Sequence, residues 1–226
     1  MLTKLQVIGL DCATEPKNMG ISLGRFAEGR MQVLEVHSGK RFKAIAEMAK
    51  WLAATLQQPV LLAIDAPLGW PLPLAETLQT HRAGEPVPVE KNRLFRRQTD
   101  FFVKQHTGQL PLDVGADRIA RAMHAALEIV EELRQRTGSN FPLLLNSGLP
   151  TGNGMLEVYP AATLSVYQVP RKGYKGKNGK PVRQAMLQHL QQHLDFQLPA
   201  AQWHGLQHSD EDHLLDSVVC LLAARD

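Results

Sequence analysis

One acid sits inside the most apolar stretch of the chain. Residues 214–224 read LLDSVVCLLAA, apolar around nearly the whole circumference of a helix, with Asp216 in the middle. A helix of that kind is a buried one. A carboxylate buried alone costs several kcal/mol unless it is paired, neutralised or bound to a metal. The fold must therefore enclose this helix and supply a partner for its acid. A chain of 226 residues is long enough, since a compact chain of that size hides about 70% of its unfolded surface. It needs no disulfide scaffold, and Cys12 and Cys220 both fall in apolar segments, as suits thiols in a reducing cytoplasm.

The remaining periodicities describe an α/β chain. LQVIGL (5–10), MGISLGRF (19–26) and MQVLEV (31–36) read as three strands joined by short linkers carrying Pro16, Asn18 and Gly29, an antiparallel meander. Phe42, Ile45, Met48, Ala49, Leu52 and Leu56 recur at helical spacing over 41–57. VLLAI (60–64) is continuously apolar, which predicts a central strand covered on both faces. Residues 67–117, with Pro67, Pro71, Pro73, Pro86, Pro88 and Pro111, read as a long insertion with one short helix near Thr99 to His106. A long helix follows, with Ile119, Met123, Leu127, Val130 and Leu133 on one face and its end at Gly138. FPLLL (141–145) and MLEVY (155–159) are strand candidates around a Gly/Pro/Asn loop. RKGYKGKNGKPVR (171–183), basic and glycine-rich without an acid, predicts a mobile loop, and helices over 183–195 and 211–224 close the chain. There is no internal repeat and no dividing linker, so the expectation is one domain over 1–226.

Three acids stand where desolvation is expensive. Asp11 closes the first strand, Asp65 closes the central one and Asp216 interrupts the apolar helix; no Lys or Arg lies within five residues of any of them. Strand carboxyl ends are where open α/β sheets place ligands. If the first two strands are parallel neighbours, their acids meet, and like charges repel unless a cation bridges them. Carboxylates without cysteine or clustered histidine suit Mg²⁺ or Mn²⁺ rather than Zn²⁺. The bland alternative is that each is a turn residue or helix cap, and Asp65 before Ala66-Pro67 fits that reading.

In this order the residues resemble the ribonuclease H-like superfamily, and HLLDSVV, with His213 and Asp216, is similar to the acid-bearing helix of Holliday-junction resolvases. More closely the chain resembles the family catalogued as domain of unknown function 429, described as predicted nucleases of ribonuclease H fold. The matching pieces are GLDCA (9–13), KNMGISLG (17–24), AIDAPLG (63–69), RRQTD (96–100), LEVYPAA (156–162) and DHLLDSVVCLLAA (212–224). The resemblance implies a mixed sheet, three antiparallel strands followed by parallel strands, with helices on both faces. It gives Asp11, Asp65 and Asp216 the metal-ligand positions, with Glu157 or Asp212 as a fourth. The preferred alternative for Asp212 is an exposed N-terminal acid favoured by the helix dipole, and Glu157 could instead partner a nearby arginine. Arg96, Arg97, Thr99 and Asp100 match a signature in which Arg97, Thr99 and Asp100 would hold a substrate phosphate; the alternative is a helix cap.

The function these expectations converge on is a nuclease that hydrolyses phosphodiester bonds, two metal ions clamping the attacking and leaving oxygens. The partner is then nucleic acid, with Tyr174 in the basic loop available to stack on a base. The rivals are a non-catalytic nucleic-acid-binding module on the same scaffold and an actin-like ATP-dependent phosphotransferase. The latter lacks its glycine-rich turn, because no glycine follows Asp11 until Gly20. Net charge is only +3, which argues against binding nucleic acid by charge alone. No apolar run reaches the ~20 residues of a membrane span, and a dimer is compatible with everything above.

Overall fold

The computed structural model describes residues 4–146 and 152–225. A meander opens the chain: β1 (Leu5–Asp11), β2 (Gly20–Ala27) and β3 (Arg30–Ser38), antiparallel in sequence. Glu28 and Gly29 make the tight β2–β3 turn with φ of 53° and 74°, the left-handed geometry that two-residue hairpin loops require. Helix α1 (Ile45–Thr55) then leads to β4 (Val60–Asp65), which lies parallel to β1. After the insertion and the long helix α5 (Asp117–Thr137), β5 (Gly154–Glu157) adds parallel to β4. A two-residue strand, β6 (Asp195–Phe196), adds parallel to β3. The sheet order is β5-β4-β1-β2-β3-β6, the mixed α/β sheet that was expected.

Side-chain alternation divides the core into two layers. Ile8 and Leu10 of β1, with Val60, Leu62 and Ile64 of β4, pack under α1 and α5. Leu5, Val7, Leu61 and Ala63 face the opposite way, into a layer built by α6 (Pro160–Val166), α7 (Lys180–Leu190), α8 (Ala200–His208) and α9 (His213–Ala223). Helix α9 crosses this second face and is buried from Leu214 to Leu222. Each Leu or Val it hides is worth about 1.5–3 kcal/mol, which offsets the cost of enclosing Asp216.

Several local expectations are corrected. The insertion holds three helices, α2 (Leu72–Leu78), α3 (Lys91–Phe95) and α4 (Gln98–Thr107), not one. Only Leu94 and Asp100 are buried on them, so hydrophobic periodicity carries no signal there. Residues 141–145 form no strand. Leu143 makes an isolated bridge to Met155, and the neighbouring Pro142 has no N–H to extend a ladder. The Gly/Pro/Asn loop that follows lies largely outside the described residues. The basic segment 171–183 is docked rather than mobile: Tyr174 and Arg183 are both buried, and α7 already begins at Lys180. Helices α6 and α8 and strand β6 had no counterpart in the sequence reading.

Candidate active site

The pocket begins with strand parity. In β1 the odd positions face α9, and in β4 Leu61 and Ala63 do the same. Asp11 and Asp65 continue these rows, and they are register partners on the two parallel strands. Both carboxylates therefore leave the carboxyl end of the sheet on the α9 side. The strands stay paired to their ends, where Cys12 N–H donates to the Asp65 carbonyl at 3.4 Å.

Glycines decide how close α9 can come. A Cβ on Gly9 would lie 2.2 Å from the Ser217 carbonyl oxygen, and one on Gly20 would lie 2.0 Å from that of His213. Any side chain there would lift the helix away from the sheet. With glycine at both, Ser22 and Ser217 share a 2.6 Å hydrogen bond, and Cys220 Sγ reaches the Leu10 carbonyl at 3.6 Å. Asp216, one residue before Ser217 and 0% exposed, is thereby held close enough for its charge to bear on both Asp11 and Asp65.

Their electrostatics follow from that crowding. Burial pushes the Asp11 carboxyl well above the usual range, and the charges of Asp216 and Asp65 push it further. Asp65 is raised to about 7, by burial first and by Asp216 next. Asp216 is raised by burial, but Lys175 and Tyr174 hold it down. Its Oδ1 accepts from the Tyr174 hydroxyl at 2.8 Å, and its Oδ2 receives the Lys175 ammonium. Tyr174 therefore does not stand free to stack on a base. Its own hydroxyl is raised by burial and by Asp216. Tyr159 also borders the pocket, raised by burial and then by Asp65, with Arg171 acting in the opposite sense.

The other sequence candidates lie around this centre in different roles. Glu157 ends β5 opposite Ile64. It accepts Arg97 through both oxygens at 2.6 Å each, and the Leu68 N–H at 2.9 Å. Arg97 also donates to Asp100, from Nη2 to Oδ1 at 2.8 Å, while the Arg97 N–H donates to Asp100 Oδ2 at 2.7 Å at the start of α4. Burial would lower the Arg97 guanidinium, but the hydrogen bonds of Glu157 and Asp100 carry it above its ordinary value. Its fork is thus taken up in tying the insertion to the end of β5. Thr99 is exposed beside it. Asp212 stands at the N-cap of α9 and accepts the Gly176 N–H at 3.3 Å. His213 lies 2.8 Å from Glu211, and the charges that bear on it are those of Glu211, Asp212 and Lys40.

Sequence reasoning missed Lys175 and Arg183, and gave Tyr174 a different role. Arg183 is 3% exposed and donates to the carbonyls of Tyr174, Gly176 and Ser209. The available signal was an arginine on the apolar side of a helix start; the glycines around it disguised a docked segment as a flexible one. Among the described residues, no three His, Cys, Asp or Glu side chains stand as a preformed metal site. The donor chemistry nevertheless suits one. Three hard-oxygen donors share a buried pocket with one ammonium, so negative charge is left over, and either protons or a divalent cation must balance it.

Comparison with known proteins adds a family and no activity. Residues 9–226 match a family model described as "Protein of unknown function (DUF429)". No curated protein and no solved structure matches the chain.

Proposed function

The chain belongs to the DUF429 family, and from the carboxylate pocket that this membership leaves unexplained we propose a divalent-metal-dependent phosphodiesterase that cleaves nucleic acid. One observation carries the reading: Asp11, Asp65 and Asp216 meet at the carboxyl end of the sheet with more negative charge than their neighbours balance. The strand order β5-β4-β1-β2-β3 supports a ribonuclease H-like core. The free thiols of Cys12 and Cys220 support a cytoplasmic setting.

Asp11 and Asp65 would hold Mg²⁺ or Mn²⁺. Such an ion supplies Lewis acidity at the scissile phosphate and lowers the pKa of water. The chain's own residues do the rest. Asp11 and Asp65 are half-buried beside the fully buried Asp216, so charge interactions inside the pocket are stronger than in water. Lys175 offers a second positive charge beside Asp216, placed to meet a phosphate oxygen. Arg97, held by Glu157 and Asp100, fixes the insertion next to the pocket.

The insertion supports nucleic acid as substrate. Trp70, Phe95, Phe101 and Phe102 are exposed on it, together with Lys91, Arg93 and Lys104. Phe102 stacks with His106 at 3.9 Å between ring centroids. Aromatic faces interleaved with cations are how single strands are gripped without sequence preference. No helix of the described residues is long and apolar enough to cross a membrane.

The test is hydrolysis of a panel of RNA, DNA, hybrid and branched oligonucleotides with Mg²⁺ or Mn²⁺, for the wild-type chain and Asp65→Asn. Cleavage is expected from the first and not the second. A second reading, a non-catalytic nucleic-acid-binding module, is favoured by the Lys175–Asp216 pair, which already satisfies one acid. It predicts oligonucleotide binding with no metal-dependent rise in melting temperature.

A further inference from the structure

The third acid of the pocket already has its cation, and the contact is built into the fold. The Lys175 side chain is 61% exposed, and its aromatic neighbour is the Tyr174 ring, 4.9 Å from the ammonium, so side-chain packing alone does not aim it at Asp216. The backbone does. Arg183 Nη1 donates to the carbonyls of Tyr174 and Gly176, the latter at 2.7 Å, and Nη2 donates to that of Ser209 at 2.9 Å. Gly179 lets the chain fold back over this segment, since a Cβ there would lie 2.1 Å from the Tyr174 carbonyl oxygen. Gly176 N–H is held by Asp212, and the Tyr174 hydroxyl by Asp216. Residues 174–176 are thus anchored on both sides of Lys175.

Asp216 consequently has a hydrogen-bond donor on each oxygen, whereas Asp11 and Asp65 stand side by side on neighbouring strands with no such cation among the described residues bonded to either. We propose that Lys175 takes the place of one of the two metal ions, so that the pocket holds a single Mg²⁺ or Mn²⁺ between Asp11 and Asp65. This rests on the metal-dependent reading given above. An ammonium is a compact point charge with three donors. A divalent ion seated on Asp216 would have to displace it or stand within a few ångströms of it, and like charges at that range repel. The ammonium thus supplies, at the Asp216 side, the charge that a second ion supplies in a two-ion site.

Counting Mn²⁺ per chain by calorimetric titration of the full-length protein tests this, with melting temperature as a parallel readout. Wild type is expected to bind one ion. Lys175→Met is expected to bind two, and to melt lower than wild type without metal and recover with it. Lys175→Arg, which keeps the charge, is expected to stay at one. Two ions on the wild type, or one on Lys175→Met, would overturn the inference and leave the metal-dependent reading standing. No binding by any of the three proteins would overturn both.

Discussion

Asp11 and Asp65 end neighbouring parallel strands in direct register, and the charge of Asp65 helps push the Asp11 carboxyl above its usual range. Two half-buried carboxylates in that position, with the buried Asp216 nearby, cannot both ionise freely. Asp65 raises Asp11, whereas Asp65 is itself raised by burial and by Asp216, and that crowding sets how the protein should answer to substitution, pH and metal.

Asp11→Asn replaces an acid whose charged form burial, Asp216 and Asp65 all disfavour with a neutral group of the same size that still hydrogen-bonds. The metal-free protein should lose no stability and should gain about 1 kcal/mol, a rise in melting temperature of about 2–4 °C for a chain of this length. Metal-dependent cleavage should vanish. Thermal melts with and without Mn²⁺, alongside an oligonucleotide assay, check both. A metal-induced rise as large as that of wild type would show that Asp11 is not a ligand.

The pH dependence has a definite sign. Asp65 is raised in the folded chain from 3.8 to about 7, so folding favours its protonated form. The stability this contributes is fully present below the unfolded value and is lost as pH rises through about 7. His213 acts oppositely: burial lowers it from 6.5, so its contribution is gained as pH rises through its unfolded value. Urea denaturation from pH 4.5 to 8 without metal should therefore show a larger loss in wild type than in Asp65→Asn. Saturating Mg²⁺ should flatten the difference. Parallel profiles for the two proteins without metal would contradict the assignment.

Arg183→Met should destabilise the chain by about 2–4 kcal/mol, because it leaves carbonyls of Tyr174, Gly176 and Ser209 without a buried charged donor. It should also release the segment that carries Lys175. Limited proteolysis should then cut between 171 and 180, where wild type resists. A stable variant that still resists cleavage would remove Arg183 from its anchoring role.

Phe102 is 60% exposed, so Phe102→Ala should leave the melting temperature unchanged. A base stacked on an aromatic ring is worth about 1–3 kcal/mol, so affinity for a single-stranded oligonucleotide should fall by roughly 5- to 150-fold. Fluorescence anisotropy with a labelled oligonucleotide reads this directly, and unchanged affinity would take the α4 surface out of the substrate path.

What the sequence by itself determined was carried by periodicity and by acids in apolar company. Alternating and continuous apolar runs specify β1 to β4, and the helical repeat specifies α1, α5 and α9, because burying those faces leaves the chain no cheaper arrangement. An acid at each of two strand ends and another in a buried helix marked Asp11, Asp65 and Asp216 as residues with an unmet electrostatic cost. The tertiary structure decided what meets that cost. Lys175 lies 41 residues before Asp216 and Arg97 lies 60 before Glu157, and no local pattern couples positions so far apart. The glycine-rich basic segment looked flexible because the interaction that fixes it, a buried guanidinium gathering three carbonyls, exists only after folding brings α7, residues 174–176 and Ser209 together. The short helices of the insertion escaped notice for the converse reason: they bury so little that hydrophobic spacing never had to record them.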